Sequence, residues 1–197
     1  MEKKNELKKE LKKVFVIGGM SESGKSSFGR YLDSKGIPRL KIVSFLKKVK
    51  DRESNDEDFV SWNNRNSIEN PEWLREEFVK EFLASMIEEE FEYCALESLY
   101  GPELGVYMKD VIGDDKVVIV YVNMDVDIRL QRQIIRENLT SLDEAKKLLL
   151  PRDEIKTAWG VPRIEAVADV VVDNSGTLDE LYLQADKMIK DYCSECL

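Results

Sequence analysis

The chain alternates short apolar runs with longer stretches in which apolar side chains recur every three or four positions. The short runs, at residues 14–17, 39–45, 93–96, 117–122 and 167–172, predict strands. The longer stretches, at residues 26–35, 127–138, 142–150 and 178–192, predict helices, and Pro151 is expected to end the third. Because strands alternate with helices, we expect a three-layer α/β/α sandwich around a five-stranded, mostly parallel sheet.

The middle of the chain departs from this alternation. Residues 47–70 are polar and predict loops with a short helix, whereas Pro71 is suited to begin a long helix. That helix has a single apolar stripe that should face the core, formed by Trp73, Leu74, Phe78, Phe82, Leu83, Met86, Ile87 and Phe91. We therefore expect one domain over residues 1–197 that carries an insert at about residues 46–91.

A glycine-rich segment follows the first predicted strand. Residues 19–26 read GMSESGKS and match the phosphate-loop pattern G-x-x-x-x-G-K-[ST], in the expected place between a strand and a helix. Backbone N–H groups of such a loop surround phosphate oxygens, Lys25 would reach the β- and γ-phosphates, and Ser26 would bind Mg²⁺. The alternative is a structural turn. We predict an ATP and Mg²⁺ site formed by Gly19, Met20, Ser21, Glu22, Ser23, Gly24, Lys25, Ser26 and Ser27.

The amino-acid composition limits which catalytic residues and which binding partners are expected. The 197 residues carry a formal net charge of -9, which disfavours a nucleic-acid polymer as partner, and no apolar run is long enough to span a membrane. The sequence has no histidine, which excludes histidine-based catalysis and histidine-containing zinc sites. An odd count of three cysteines predicts a reducing, cytoplasmic setting, and we interpret the terminal C-x-x-C of Cys193 and Cys196 as chance.

Phosphoryl transfer also needs a carboxylate close to the phosphate loop, to organise the metal or to accept the acceptor's proton. The carboxyl ends of parallel strands are the expected position. Glu97, directly after the run at residues 93–96, is the first candidate, and Asp125, after the next strand, is the second. The alternative for Glu97 is an ordinary exposed carboxylate.

A group of arginines follows the fourth predicted strand. Arg129, Arg132 and Arg136 share one face of a predicted helix, and Arg152 lies beyond the next helix. One interpretation is salt bridging to Asp127, Glu137 or Asp153. The other is a lid at about residues 129–163, in which Arg132 and Arg136 close over ATP and stabilise the transferring phosphoryl group.

The chain from the phosphate loop onward resembles the P-loop kinases of small molecules, and within them the dephospho-CoA kinases. The likeness is strongest in the arginine segment, in Asp143-Glu144-Ala145 with Lys156, and in ADVVVDNSGT at residues 168–177. This resemblance implies a nucleotide-kinase-like P-loop fold. It also implies that Asn174, Ser175 and Gly176 lie beside the adenine of ATP, and that Arg132 and Arg136 belong to the lid.

The acceptor region departs from that family. Residues 36–44 carry no carboxylate, although dephospho-CoA kinases have an acidic pair on this strand for the acceptor hydroxyl. Glu97-Ser98 resembles instead the acid that ends the same strand in nucleoside and deoxynucleotide kinases. We expect the acceptor to bind against the insert. Its possible lining residues are Lys41, Trp62, Asn63, Asn64, Arg65 and Tyr100. The alternative is that these residues are ordinary protein surface.

The sequence thus predicts a kinase that transfers phosphate from ATP to a nucleoside, nucleotide or CoA-precursor-like compound. An alternative is a catalytically altered nucleotide-binding regulatory protein of the same fold. A GTP switch is a third reading, because Asp110–Gly113 fits D-x-x-G, but residues 123–125 do not form the guanine motif N-K-x-D. The sequence makes no prediction of oligomeric state.

Overall fold

A computed structural model describes residues 10–53 and 55–193 of the chain. The strands in this part are β1 (Lys13–Gly18), β2 (Arg39–Lys41), β3 (Tyr93–Leu99), β4 (Val117–Asn123) and β5 (Val170–Asp173). The helices are α1 (Lys25–Ser34), α2 (Ile42–Arg52), α3 (Phe59–Glu69), α4 (Pro71–Glu88), α5 (Pro102–Ile112), α6 (Val126–Glu137), α7 (Leu142–Trp159) and α8 (Leu178–Tyr192). A 3₁₀-helix, Val161–Val167, precedes β5.

The five strands form one sheet in the order β2-β3-β1-β4-β5, and every neighbouring pair is parallel. Side chains of the central strand β1 alternate between two buried clusters, as the strand period requires. Val14 and Val16 join α2 and α4 on one face, whereas Phe15 and Ile17 join α1 and α8 on the other. The predicted α/β/α sandwich with a five-stranded parallel sheet is confirmed.

The segment after β2 differs from the prediction. The expected strand at residues 39–45 ends at Lys41, and α2 begins at the next residue. Ile42, Phe45, Leu46 and Val49 are all buried, so a three- and four-residue period within this apolar run buries one helix face. Residues 47–70, predicted as loops and a short helix, contain most of α2 and all of α3, which Asp58 caps through two backbone N–H groups.

The third predicted helix does not end at Pro151. Instead α7 continues to Trp159, and contacts in its second half hold it to the phosphate loop. The last predicted strand, at residues 167–172, is shifted to Val170–Asp173, because Val161 and Ile164 are buried in the preceding 3₁₀-helix. Helix α5 begins with Pro102 at its first turn, and the sequence analysis missed it.

The apolar stripe of α4 is only partly in the core. Phe78, Phe82 and Met86 are buried, but Ile87 is 53% exposed. In the part of the chain that the structure describes, no helix is both long and apolar enough to cross a bilayer. Cys193 is buried, and Cys196 lies outside the described residues, as do the first nine residues of the N-terminal segment. The predicted division into insert and lid stays a prediction.

Helix α1 packs closely against β3 at Gly29. A Cβ atom added to this glycine would lie 2.0 Å from Oε1 of Glu97, whose side chain is 3% exposed. The approach has no room for a methyl group unless Glu97 or the helix moves. Gly29 therefore fixes where the Glu97 carboxylate lies relative to the helix that follows the phosphate loop.

We expect Gly29→Ala to lower the free energy of unfolding by about 1–3 kcal/mol, because the added methyl group overpacks the contact with Glu97. Urea denaturation should show this as a lower midpoint. The control is Ser34→Ala at the exposed end of the same helix, which should stay within about 0.5 kcal/mol of the parent. A Gly29→Ala midpoint equal to that of the control would contradict the close approach.

Candidate functional site

The phosphate loop joins the carboxyl end of β1 to the first turn of α1. Gly24 precedes the helix in a left-handed conformation with a φ of 91°, and Ser27 and Phe28 donate their N–H groups to its carbonyl. A Cβ atom on Gly24 would lie 1.9 Å from Nδ2 of Asn174, so a larger residue would push the turn after β5 away. The loop thus presents backbone N–H groups at a helix N-terminus, the usual geometry of an anion site.

Two lysines meet at this loop. Lys25 Nζ donates to the Met20 carbonyl at 2.6 Å, and Lys156 Nζ, from α7, donates to the Gly19 carbonyl at 3.5 Å. Burial and the neighbouring Lys156 charge lower the pKa of Lys25 to about 7, and burial also lowers the pKa of Lys156. Among the described residues, neither ammonium has a carboxylate within 4.0 Å. The pair is therefore suited to bind an anion.

The turn after β5 is bound directly to the loop. Asn174 is 2% exposed and donates from Nδ2 to the Ser23 carbonyl at 2.8 Å. Arg132 donates from Nη2 to the carbonyls of Asn174 and Gly176, at 3.0 and 3.1 Å. Asn174, Ser175 and Gly176, predicted to lie beside adenine, are thus next to the phosphate loop, while their role in binding adenine stays a prediction.

The remaining arginines are held by carboxylates. Arg129 is buried and lies 2.5 Å from Asp153, and it also donates to the Ser21 carbonyl. Arg136 pairs with Glu22 of the phosphate loop at 2.6 Å and with Glu137 at 2.8 Å.

Arg152 lies 4.0 Å from the second carboxylate oxygen of Glu22, the one that Arg136 does not contact. Two of the partners considered from the sequence are therefore present, and Glu22 is a further one that the sequence analysis missed. The contacts hold α6 and α7 against the loop.

Glu97 lies inside β3 and not after the strand, as the sequence had suggested. It pairs in register with Ile17 of β1 and Lys41 of β2, and only 3% of it is exposed, so it is not a surface carboxylate. Arg39 donates two hydrogen bonds to it, at 2.6 and 2.8 Å, and the Glu97 carboxylate raises the pKa of that guanidinium. Arg39 was missed, although a basic residue on a strand beside a buried acid is the signal that would have found it.

Asp125, the second candidate carboxylate, caps α6 by accepting the Asp127 N–H at 2.8 Å. The string that fits D-x-x-G forms the end of α5 and its C-cap, Gly113, and not a loop after a strand. Both observations agree with a structural role for these two segments. Among the described residues, no group of three acidic or sulfur side chains is placed to hold a metal.

A cavity of about 1090 Å³ lies among α2, α3, α4, the turn after β3 and the end of α7. Asn63, Asn64 and Tyr100, three of the residues predicted for the acceptor site, line it.

The other three predicted acceptor residues do not line the cavity. Trp62 is fully buried, and its indole N–H donates to Glu53. Arg65 pairs with Glu57 at 2.7 Å, and Lys41 is exposed at the end of β2. Trp62 and Arg65 thus stabilise the insert itself, and Lys41 faces solvent.

Comparisons with known proteins agree with this architecture. No family model matches the chain. A dephospho-CoA kinase of Corynebacterium glutamicum is 34% identical over 79 residues, which are 39% of this chain. The match spans about a third (35%) of that relative's length.

Solved structures match over almost the whole chain. TT1252 from Thermus thermophilus gives a TM-score of 0.61 at 17% identity and covers 93% of this chain and 99% of its own. Dephospho-CoA kinase from Campylobacter jejuni gives a TM-score of 0.56 at 16% identity, and the match covers 93% of this chain and 98% of that structure's chain. Shikimate kinase from Bacteroides thetaiotaomicron gives a TM-score of 0.50 at 11% identity, and the match covers 90% of this chain and 97% of that structure's chain. The resemblance to P-loop kinases is confirmed at the level of the fold.

We expect sulfate, used as a probe that does not titrate near neutrality, to bind more weakly as pH rises. A bound dianion favours the protonated Lys25, whose pKa is about 7 in the ligand-free protein. Binding is therefore strongest below pH 7, and the dissociation constant should rise about tenfold between about pH 6 and pH 8. Calorimetric titration or the sulfate-dependent increase in Tm measures it.

Lys156→Met tests the cause of this pH dependence. It removes the neighbouring charge, so the pKa of Lys25 should rise and the midpoint should move to higher pH, whatever the overall loss of affinity. Affinity that is independent of pH in the parent, or a midpoint that moves down in the variant, would contradict the assignment.

Proposed function

We propose that this protein is an ATP-dependent phosphotransferase, which moves the γ-phosphoryl group of ATP to a hydroxyl group of a small molecule. The acceptor would be a nucleoside, a nucleotide or a CoA-precursor-like compound. The observation that carries the proposal is the pair Lys25 and Lys156 at the phosphate loop. Each donates to a backbone carbonyl, and neither has a carboxylate within 4.0 Å in the described part of the chain. The fold shared with dephospho-CoA kinase and shikimate kinase structures supports it.

The loop and its neighbours would bind the nucleotide. The backbone N–H groups at the start of α1, with Lys25 and Lys156, would hold the β- and γ-phosphates. The segment at residues 174–176 would contact the adenine, with Arg132 fixing its carbonyls. Because Asn174 is hydrogen-bonded to the Ser23 carbonyl, the proposed adenine and phosphate sites would be joined directly.

A magnesium ion fits this donor set. The exposed Ser26 hydroxyl in the first turn of α1 would hold the ion, with Glu97 ordering its water shell, since Mg²⁺ in such sites keeps several waters and uses few protein ligands. When bound, the ion neutralises charge that develops on the β- and γ-phosphate oxygens.

Glu97 would also accept the proton of the attacking hydroxyl. Both carboxylate oxygens accept from Arg39, but each oxygen keeps a second lone pair for a further hydrogen bond. The two hydrogen bonds from Arg39 restrict the orientation of the carboxylate, which would favour proton transfer without being essential to it. Arg136 would exchange Glu22 for phosphate oxygens when ATP binds, so that the predicted lid closes at residues 129–163.

We expect Lys25→Ala to reduce acceptor-dependent ADP formation by at least about a hundredfold, because charge stabilisation at the transferring phosphoryl group is lost. The control is Lys190→Ala on the exposed face of α8, which should keep the parent's rate. Circular dichroism and Tm should show that both variants fold. Parental turnover in Lys25→Ala would rule out the mechanism, and ATP binding without transfer to any acceptor would favour the regulatory alternative.

Glu97→Gln and Arg39→Lys separate catalysis from packing at the buried pair. Glu97→Gln removes the proton acceptor, so we expect kcat to fall by about a hundredfold or more. Arg39→Lys keeps the positive charge but loses the bidentate fork, so it should lower stability while kcat stays within about tenfold of the parent. Steady-state kinetics and urea denaturation give the two readouts. Equal losses of kcat in both variants at equal stability would count against Glu97 as the base.

A further inference from the structure

Two walls of the cavity of about 1090 Å³ contain residues that are adjacent in sequence to residues contacting the phosphate loop or the strand before it. Ile155 lines it from α7, and the next residue, Lys156, donates to the Gly19 carbonyl. Tyr100 lines it directly after β3, where Leu99 pairs in register with Gly18 at the start of the loop. A molecule in this cavity would therefore lie next to the position proposed for the triphosphate.

The walls present apolar and aromatic surface that the protein leaves uncovered. The rings of Tyr100 and Trp159 meet edge to face, with centroids 4.8 Å apart, and 46% of Trp159 is exposed. On α3, Val60 and Ile68 are 64% and 82% exposed, and both line the same cavity. A ligand with a large apolar body would remove this surface from water, which is the main source of affinity in such pockets.

The cavity has little positive charge. Its charged lining residues are Arg75 and Glu103, and Arg163 pairs with Glu103 at 2.8 Å. Arg163 does not itself line the cavity, but it neutralises Glu103. Within the described parts of the chain, Arg75 has no carboxylate partner within 4.0 Å, so its guanidinium is the single unpaired charge of the wall. A phosphate monoester carries about 1.5 to 2 negative charges at neutral pH, and burying it without several charged partners is costly.

Polar side chains of α3 also line the cavity. Asn64 and Ser67 are both exposed, and they line it from the same helix as Asn63. Amide and hydroxyl groups can each donate and accept a hydrogen bond. A hydroxyl or N–H group of an uncharged molecule can therefore pair with these side chains.

We propose, on the basis of the proposed function, that the cavity is the acceptor site and that the acceptor is an unphosphorylated alcohol. Its body is apolar or aromatic, and a hydroxyl or N–H group pairs with the exposed polar side chains of α3, Asn64 and Ser67. Phosphorylated compounds such as nucleoside monophosphates are excluded by the lack of positive charge. Of the acceptors predicted from the sequence, the structure thus selects the nucleoside-like class over the nucleotide class.

The test compares matched pairs that differ only in a phosphate group. Thymidine, uridine and 2-phenylethanol are each measured against their phosphate monoesters, with saturating Mg·ADP present so that the nucleotide site is filled. Binding is followed by the fluorescence of Trp159, with Trp159→Phe as the signal control. We expect each unphosphorylated member to bind at least about tenfold more tightly than its monoester. A monoester that binds as tightly as its parent alcohol overturns the proposal, as does the failure of all three alcohols to bind at millimolar concentration.

A charge-addition pair sharpens the test. Asn64→Arg adds a cation to the cavity wall, and we expect it to reduce or reverse the preference against monoesters by about tenfold. Ser61→Arg adds the same charge on α3 outside the cavity and should leave the preference unchanged. An equal shift in both variants would mean that the preference arises from long-range charge and not from the cavity, which also overturns the proposal.

The two proposals fail in different ways. Loss of the proposed function appears as absence of ATP binding or of Lys25-dependent ADP formation for every acceptor. Failure of the acceptor inference appears in the binding ratio of the matched pairs, which does not depend on turnover. A kinase that phosphorylates monoesters better than alcohols would keep the proposed function and overturn this inference.

Discussion

Two ammonium groups held together at the phosphate loop are the constraint on which the site depends. Lys25 and Lys156 come from helices far apart in sequence, and each donates to a backbone carbonyl of the loop, with the Ser23 hydroxyl as a further acceptor for Lys25. Burial and mutual repulsion disfavour the charged forms, which is why the pKa of Lys25 falls to about 7. A protein tolerates such an arrangement where a ligand supplies the missing negative charge, and under the proposed function the triphosphate of ATP would supply it.

The fold holds these charges together through contacts that run from the sheet to the loop. Asn174 links the turn after β5 to Ser23, Arg129 links α6 to both Ser21 and Asp153 of α7, and Arg136 reaches Glu22. Since Arg129 and Asp153 are buried, removing either partner would leave an unpaired charge in the interior. The rigid contacts lie at Ser21 and Ser23, whereas the Arg136 pair is half exposed and can exchange partners at low cost.

The sequence was sufficient for the architecture and for the phosphate loop, because both depend on local patterns. Apolar runs, a glycine-rich turn and Pro71 each act within a few residues. Errors arose where tertiary contacts decided the outcome. The run after Arg39 continues as a helix because its apolar face meets α4, and α7 passes Pro151 because Asp153 and Lys156 bind to α6 and the loop. Neither contact can be recognised from the local sequence around Arg39 or Pro151.

The position of Glu97 shows why side-chain roles are harder to predict than strands. Its place at the carboxyl end of β3 follows from an apolar run, but its partner Arg39 lies on a strand of three residues that pairs only after the sheet has formed. Gly29 then admits the carboxylate against α1 because it has no side chain. The acid beside the phosphate loop is therefore a product of three separate elements, and its fixed orientation comes from packing. Under the proposed function an acceptor hydroxyl would have to reach this carboxylate, and the turn that follows β3 leads into Tyr100 and the apolar cavity. This continuity is the physical reason for assigning proton acceptor and acceptor site to the same edge of the sheet.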